Sequence, residues 1–185
     1  MTLRMLLLIL ALTPCLAGCE SSNGQSREAG GDEAPKAEAK ELVVPIIRDA
    51  AGLKQELAKL QGKVVVLNFW ATWCPSCVEE FPTLIKLRDR YADQNVVLLT
   101  VSGDDEADLE TKVKPFLKKQ GITEHAVLIA VKDEVKFIDE FHHGWNGAYP
   151  STFVYAANGK MVKLLEGEQK MEAFEAAVKQ ALAAP

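Results

Sequence analysis

Three histidines and four cysteines in 185 residues leave little material for a metal centre or a disulfide-stapled scaffold. Positive charge is also scarce. Lys and Arg number 21 against 26 Asp and Glu, so the formal net charge is -5. No basic stripe points to nucleic acid, and the acidic balance opposes adsorption to an anionic membrane face. Proteins are therefore the expected partners. No internal repeat is visible, and the apolar run at residues 5–12 is too short to span a bilayer as a helix. What is present is apolar material, 48% of residues, enough for one cored domain plus a tail.

The short apolar run follows Arg4 and is placed like the core of a signal peptide. Small residues then precede a cysteine in Leu16-Ala17-Gly18-Cys19. This string resembles the lipobox of bacterial lipoproteins, which implies cleavage after Gly18 and lipidation of Cys19. An ordinary secretory signal cut nearby would instead leave Cys19 as an odd thiol. Either way the domain leaves the cytoplasm. On the lipoprotein reading, residues 1–18 are the signal peptide and Cys15 leaves with them. Cys19 carries lipid, and Cys74 and Cys77 remain as thiols. Residues 19–41 are then a lipidated Cys and a flexible tether, because their Ser, Gly, Ala, Glu and Lys cannot bury enough surface to offset ordering. The folded domain is expected over 42–185, in the cell envelope and on the periplasmic side in a Gram-negative cell.

Within 42–185, the spacing predicts alternating strands and helices. Residues 43–47 read as an edge strand because of Pro45. Leu53, Leu57 and Leu60 recur at helical spacing, with Gly62 as a stop. Residues 64–70 form a continuous apolar run interrupted by Asn68, as expected for a strand buried on both faces. A helix is predicted over 75–92 and a second buried strand over 96–101. Leu109, Val113, Phe116 and Leu117 mark a helix interrupted or restarted at Pro115. A strand over 126–131 and a short helix carrying Val135, Ile138 and Phe141 follow. Asn158-Gly159 between two apolar runs predicts a hairpin, and Met171, Phe174, Val178 and Leu182 give a last helix one apolar face. The fold class is therefore α/β, a central mixed sheet flanked by helices.

The chemistry concentrates in Trp73-Cys74-Pro75-Ser76-Cys77, at the junction of a buried strand and a helix. A cysteine at a helix N-terminus meets unpaired amides and the positive end of the dipole, which stabilise its thiolate. Cys77 lies three residues on, on the same side and within disulfide reach. Pro75 suits the first helical turn. In the expected cycle, Cys74 attacks a partner disulfide and Cys77 resolves the mixed disulfide. A zinc half-site would need about four ligands, and no second Cys pair exists; His125, His142 and His143 alone remain to help. A structural staple closing so short a loop would constrain the unfolded chain little.

Asn68-Phe69-Trp70-Ala71-Thr72-Trp73-Cys74-Pro75-Ser76-Cys77 resembles the active-site segment of the thioredoxin superfamily, in particular its membrane-anchored TlpA/ResA-type branch. Pro82 matches a proline of the active-site helix, and Tyr149-Pro150-Ser151-Thr152 resembles the family's cis-proline loop. The resemblance implies a thioredoxin fold with a helix-strand insertion at about 106–131. It implies a cis Pro150 whose loop faces the cysteines, with Trp73, Pro75, Tyr149 and Pro150 as the partner-binding surface. It also points to Glu80, three residues beyond Cys77, as a carboxylate able to exchange a proton with that thiol; a first-turn acid favoured by the dipole is the plainer reading. Asn68 stands where ordinary thioredoxins carry a buried aspartate, which moves acid–base work onto Glu80. His142, His143 and Trp145 fall shortly before Pro150, on an expected rim of the site, with a solvated loop favoured over a metal site. The function implied is an envelope thiol–disulfide oxidoreductase acting as a protein-disulfide reductase, in cytochrome c maturation or copper-site assembly. No cofactor is expected beyond the disulfide, and no metal. Partners are protein disulfides or dithiols, a transmembrane thiol electron donor and the membrane through the lipid anchor. Copper metallochaperone, disulfide-donating oxidase or isomerase, and non-catalytic binder are the alternatives.

Overall fold

The computed structural model describes residues 41–184. The expected signal peptide, the lipidated Cys19 and all but the last residue of the tether lie outside them. Among the described residues no helix is long and apolar enough to cross a membrane.

The elements run β1 (Ile46–Ile47), α1 (Ala50–Ala58), β2 (Val64–Trp70), α2 (Pro75–Arg90), β3 (Val96–Ser102), α3 (Lys114–Lys119), β4 (Ala126–Ile129), α4 (Glu134–Phe141), β5 (Ser151–Tyr155), β6 (Met161–Glu166) and α5 (Met171–Leu182). One six-stranded sheet has the order β1-β4-β3-β2-β5-β6. The first four strands in that order are parallel neighbours, and β5 and β6 pair antiparallel at the other side. β2 is central, as its unbroken burial requires. The stretch 106–131 runs through a 3-10 turn, a π turn over Leu109–Val113 and α3 into β4, which slots between β1 and β3.

The period of two along each strand divides the core into two layers. Val64, Val66 and Trp70 of β2 face the layer that holds Phe81, Leu84 and Phe174 from α2 and α5. Val65, Leu67 and Phe69 face the layer that holds Leu53, Phe137 and Phe141 from α1 and α4. Phe69 is the hub of the second layer, stacked on Trp145 at 4.2 Å and edge-on to Phe141 and Phe153 at 5.4 and 5.7 Å. Burying one such side chain contributes about 1.5–3 kcal/mol.

Several sequence expectations shift in detail. β1 keeps only Ile46–Ile47, and Val43 is exposed, because Pro45 lacks an N–H and joins the sheet only as an acceptor from Leu128. α1 ends before Leu60, which is buried from the following turn. In α4 the Asp133 cap sets a phase that buries Phe137 and Phe141 and leaves Val135 exposed. In α5 the buried stripe is Phe174, Ala177, Val178 and Ala181, with Leu182 at its exposed margin.

Candidate active site

β2 ends at Trp70, and four residues later Cys74 caps α2. Cys74 Sγ accepts the Cys77 N–H at 3.3 Å, so one of the orphan amides of the helix start points at this sulfur. Pro75 opens the helix at a position where its missing N–H costs nothing. Cys74 and Cys77 form a disulfide with Cα atoms 5.3 Å apart. Cys77 is 1% exposed and Cys74 6%. Trp73, immediately before the pair, is 61% exposed, whereas Trp70 is fully buried between Phe81 and Phe116.

The Tyr149–Pro150 bond is cis, as the motif implied. The Tyr149 ring meets Trp73 edge-on at 5.6 Å, tying the proline loop to the cysteine loop. Burial pushes the Tyr149 phenol well above its ordinary pKa, with Glu134 and Asp104 adding to the rise. A pocket of about 400 Å³ opens beside this contact, between Trp73, Tyr149, Gly103, Phe137 and Trp145.

Glu80 is buried on α2, on the helical side it shares with Cys77. Its Oε1 accepts from Asn68 Nδ2 at 3.3 Å, and its Oε2 from the Gln169 N–H at 2.6 Å. Burial pushes its pKa up to about 7; Glu168 adds to the rise, while the Gln169 amide and Asn68 oppose it. Asn68, Thr100 and Thr152 form one buried polar row across β3, β2 and β5, and Asn68 Nδ2 also donates to Thr152 Oγ1 at 2.9 Å. This row and the Gln169 amide were not legible in the sequence. Asp104 was missed too, although a Gly-Asp-Asp run directly after a strand was a visible cue. It is 2% exposed and accepts the Thr72 N–H on both oxygens, at 3.1 and 3.0 Å.

The histidine pair lies elsewhere. His142 and His143 line a separate depression with Lys54 and Asp139, not the pocket beside Trp73. His143 Nδ1 pairs with Asp139 at 2.5 Å, and His142 Nδ1 accepts the Gly144 N–H at 3.1 Å. Of the expected rim only Trp145 reaches the pocket; it is buried, with its indole N–H donating to Ser151 Oγ at 3.0 Å.

Sequence and structure both place the chain among known proteins. The sequence pattern of the AhpC/TSA family matches residues 30–164. The chain belongs to the AhpC/TSA family. It is 33% identical over 134 residues to the thiol-disulfide oxidoreductase ResA of Bacillus anthracis, covering 72% of each chain. To the ResA of Bacillus cereus strain ZK / E33L it is 32% identical over 130 residues, 70% of each chain. Among solved structures, a thioredoxin-family thiol:disulfide interchange protein from Chlorobium tepidum TLS superposes with a TM-score of 0.56 at 27% identity. That match covers 68% of this chain and 84% of the other. The fold is the thioredoxin fold, and the chain is a thiol–disulfide oxidoreductase.

Proposed function

We propose that the chain reduces disulfides of exported proteins, apocytochrome c or copper-site cysteines among them, using Cys74 and Cys77 as the dithiol. The observation that carries the reading is the cysteine pair at the start of α2, with Cys74 receiving the Cys77 amide and Trp73 and Tyr149 set beside it. The cis-proline loop and exposed Trp73 suit a polypeptide partner, with Pro75, Tyr149 and Pro150 completing the docking surface.

In the reductive cycle the Cys74 thiolate attacks one sulfur of the partner disulfide. Its S–S bond breaks and the second partner sulfur leaves as a thiolate, which takes up a proton. Cys77 then loses its proton and attacks Cys74 Sγ. The partner's first sulfur departs, and the Cys74–Cys77 disulfide forms. Glu80, three residues beyond Cys77 on the same helix, would take the Cys77 proton; a carboxyl with a pKa of about 7, exchanging protons near neutral pH, supports that role. Asn68 cannot do so. The oxidised product requires two electrons, supplied by a transmembrane thiol donor. The export signal and the lipidated Cys19 would hold the domain outside the cytoplasm. Copper delivery through the cysteines and a paired histidine finds no support, because His142 and His143 line a different depression.

The test is the reduction potential of the Cys74–Cys77 pair, equilibrated with thiol buffers and read by alkylation. A value well below about -200 mV, the poise of an oxidising compartment, is expected of a reductant. A value well above it contradicts that assignment and makes the protein a disulfide donor.

A further inference from the structure

The turn at 102–104 touches both loops that flank the disulfide. Gly103 leaves β3 with its N–H donating to Trp70 O at 2.9 Å, at the end of β2. Asp104 follows, and its buried carboxylate takes four contacts from neutral donors. These are the Thr72 N–H on each oxygen at 3.1 and 3.0 Å, the Thr72 hydroxyl, and the Ser102 hydroxyl at 2.7 Å. The Ser102 oxygen in turn accepts the Asp104 N–H at 3.1 Å. Thr72 stands two residues before Cys74, whose own N–H donates to Ala71 O at 3.2 Å. A carboxylate has about four acceptor sites, and here they are spent on one short loop and its own turn.

The other side of the turn receives Tyr149. A Cβ at residue 103 would lie 2.2 Å from Tyr149 Oη and 2.7 Å from Cζ, closer than real side chains approach. Only glycine lets the ring lie across the turn. Tyr149 in turn precedes cis Pro150 and meets Trp73 edge-on. One turn therefore grips the cysteine loop through Asp104 and seats the proline loop through Gly103.

We propose that the turn at 102–104 is the positioning element of the thiol-exchange site, with Asp104 setting the loop that carries Cys74 and Gly103 setting Tyr149 and the partner surface. The proposal rests on the thiol-exchange reading above. Neither residue touches the reacting sulfurs; both act through others. Their effects are therefore separable: Gly103 governs how a protein partner docks, and the Asp104–Thr72 grip governs the reactivity of Cys74.

The experiment uses the full chain, reduced, with two readouts. One is steady-state reduction of insulin, resolved into kcat and KM. The other is the pH dependence of Cys74 alkylation by iodoacetamide, resolved by peptide so that Cys15 and Cys19 do not contribute. Gly103→Ala should raise KM for insulin by roughly tenfold or more, since displacements near 1 Å at a site cost up to about 100-fold. Its Cys74 alkylation midpoint should match wild type. Where Gly103→Ala does not fold, Gly103→Ala with Tyr149→Phe, which removes the oxygen nearest the added Cβ, should fold and still show a raised KM relative to Tyr149→Phe alone. Thr72→Val, which removes the hydroxyl from Asp104, should shift the alkylation midpoint, and Thr72→Ser should restore it. A wild-type KM in Gly103→Ala, or a KM in Gly103→Ala with Tyr149→Phe no higher than in Tyr149→Phe alone, overturns the proposal, as does an unshifted midpoint in Thr72→Val or a failure of Thr72→Ser to restore it. Wild-type protein that does not reduce insulin overturns the thiol-exchange reading instead.

Discussion

Glu80 on α2 and Asp104 after β3 are both 2% exposed, yet the protein surrounds them differently. Asp104 receives donors on both oxygens from Thr72 and Ser102. Glu80 receives two, one of them at 3.3 Å from Asn68, and sits near the negative Glu168. A buried carboxylate keeps its charge only where hydrogen bonds replace water, and where they fall short it gains a proton. Glu80 is accordingly lifted to about 7 by burial. The comparison separates two environments for one chemistry: Asp104 is held by donors from one loop and its own turn, and Glu80 is held by fewer and is raised by burial.

Removing the attacking cysteine gives the largest expected effect. Cys74→Ser should abolish insulin reduction outright, because it removes the sulfur at the helix cap that attacks the partner. Next, substitutions of the two acids should differ in sign in urea denaturation of the oxidised protein, Asp104→Ala destabilising and Glu80→Gln stabilising above neutral pH. Asp104→Ala strips the acceptor from three donors and should cost about 3 kcal/mol. For Glu80 the folded pKa lies above the unfolded one, so its contribution is fully present below about 4.5 and is lost as pH rises through about 7. Glu80→Gln should therefore be near neutral at pH 5 and stabilising at pH 8, by on the order of 3 kcal/mol. Equal responses of the two variants would break the distinction.

Kinetics sharpen it further. In stopped-flow reduction of a peptide disulfide, Glu80→Gln should slow resolution by about 100-fold and remove the inflection near pH 7. Glu168→Gln should move that inflection down by a few tenths of a pH unit, roughly what a surface charge contributes. An unmoved inflection would remove Glu168 from the account.

Legibility followed the same divide between local and assembled features. Cys74 caps α2, and Pro75, Cys77 and Glu80 lie on it, so local spacing, with the resemblance, brought them together. β2 and the hairpin at Asn158-Gly159 were likewise written in local runs and turn chemistry. The rest depends on chain reversals that bring distant residues together. Gln169 reaches Glu80 across 89 positions and Asp104 reaches Thr72 across 32. No periodicity encodes either contact. The histidine pair erred in the opposite sense, since closeness to Pro150 in sequence did not bring it to the pocket beside Trp73. Val135 shows a smaller version: the α4 pattern gave the right helix, but the Asp133 cap decided which stripe faced inward.

The most direct test of the account is to trap its intermediate. Reduced Cys77→Ser, mixed with a disulfide-bonded protein, should accumulate a mixed disulfide through Cys74, identified by mass spectrometry of the linked peptides. Absence of any adduct, or linkage through Cys15 or Cys19 alone, would contradict thiol exchange at the start of α2.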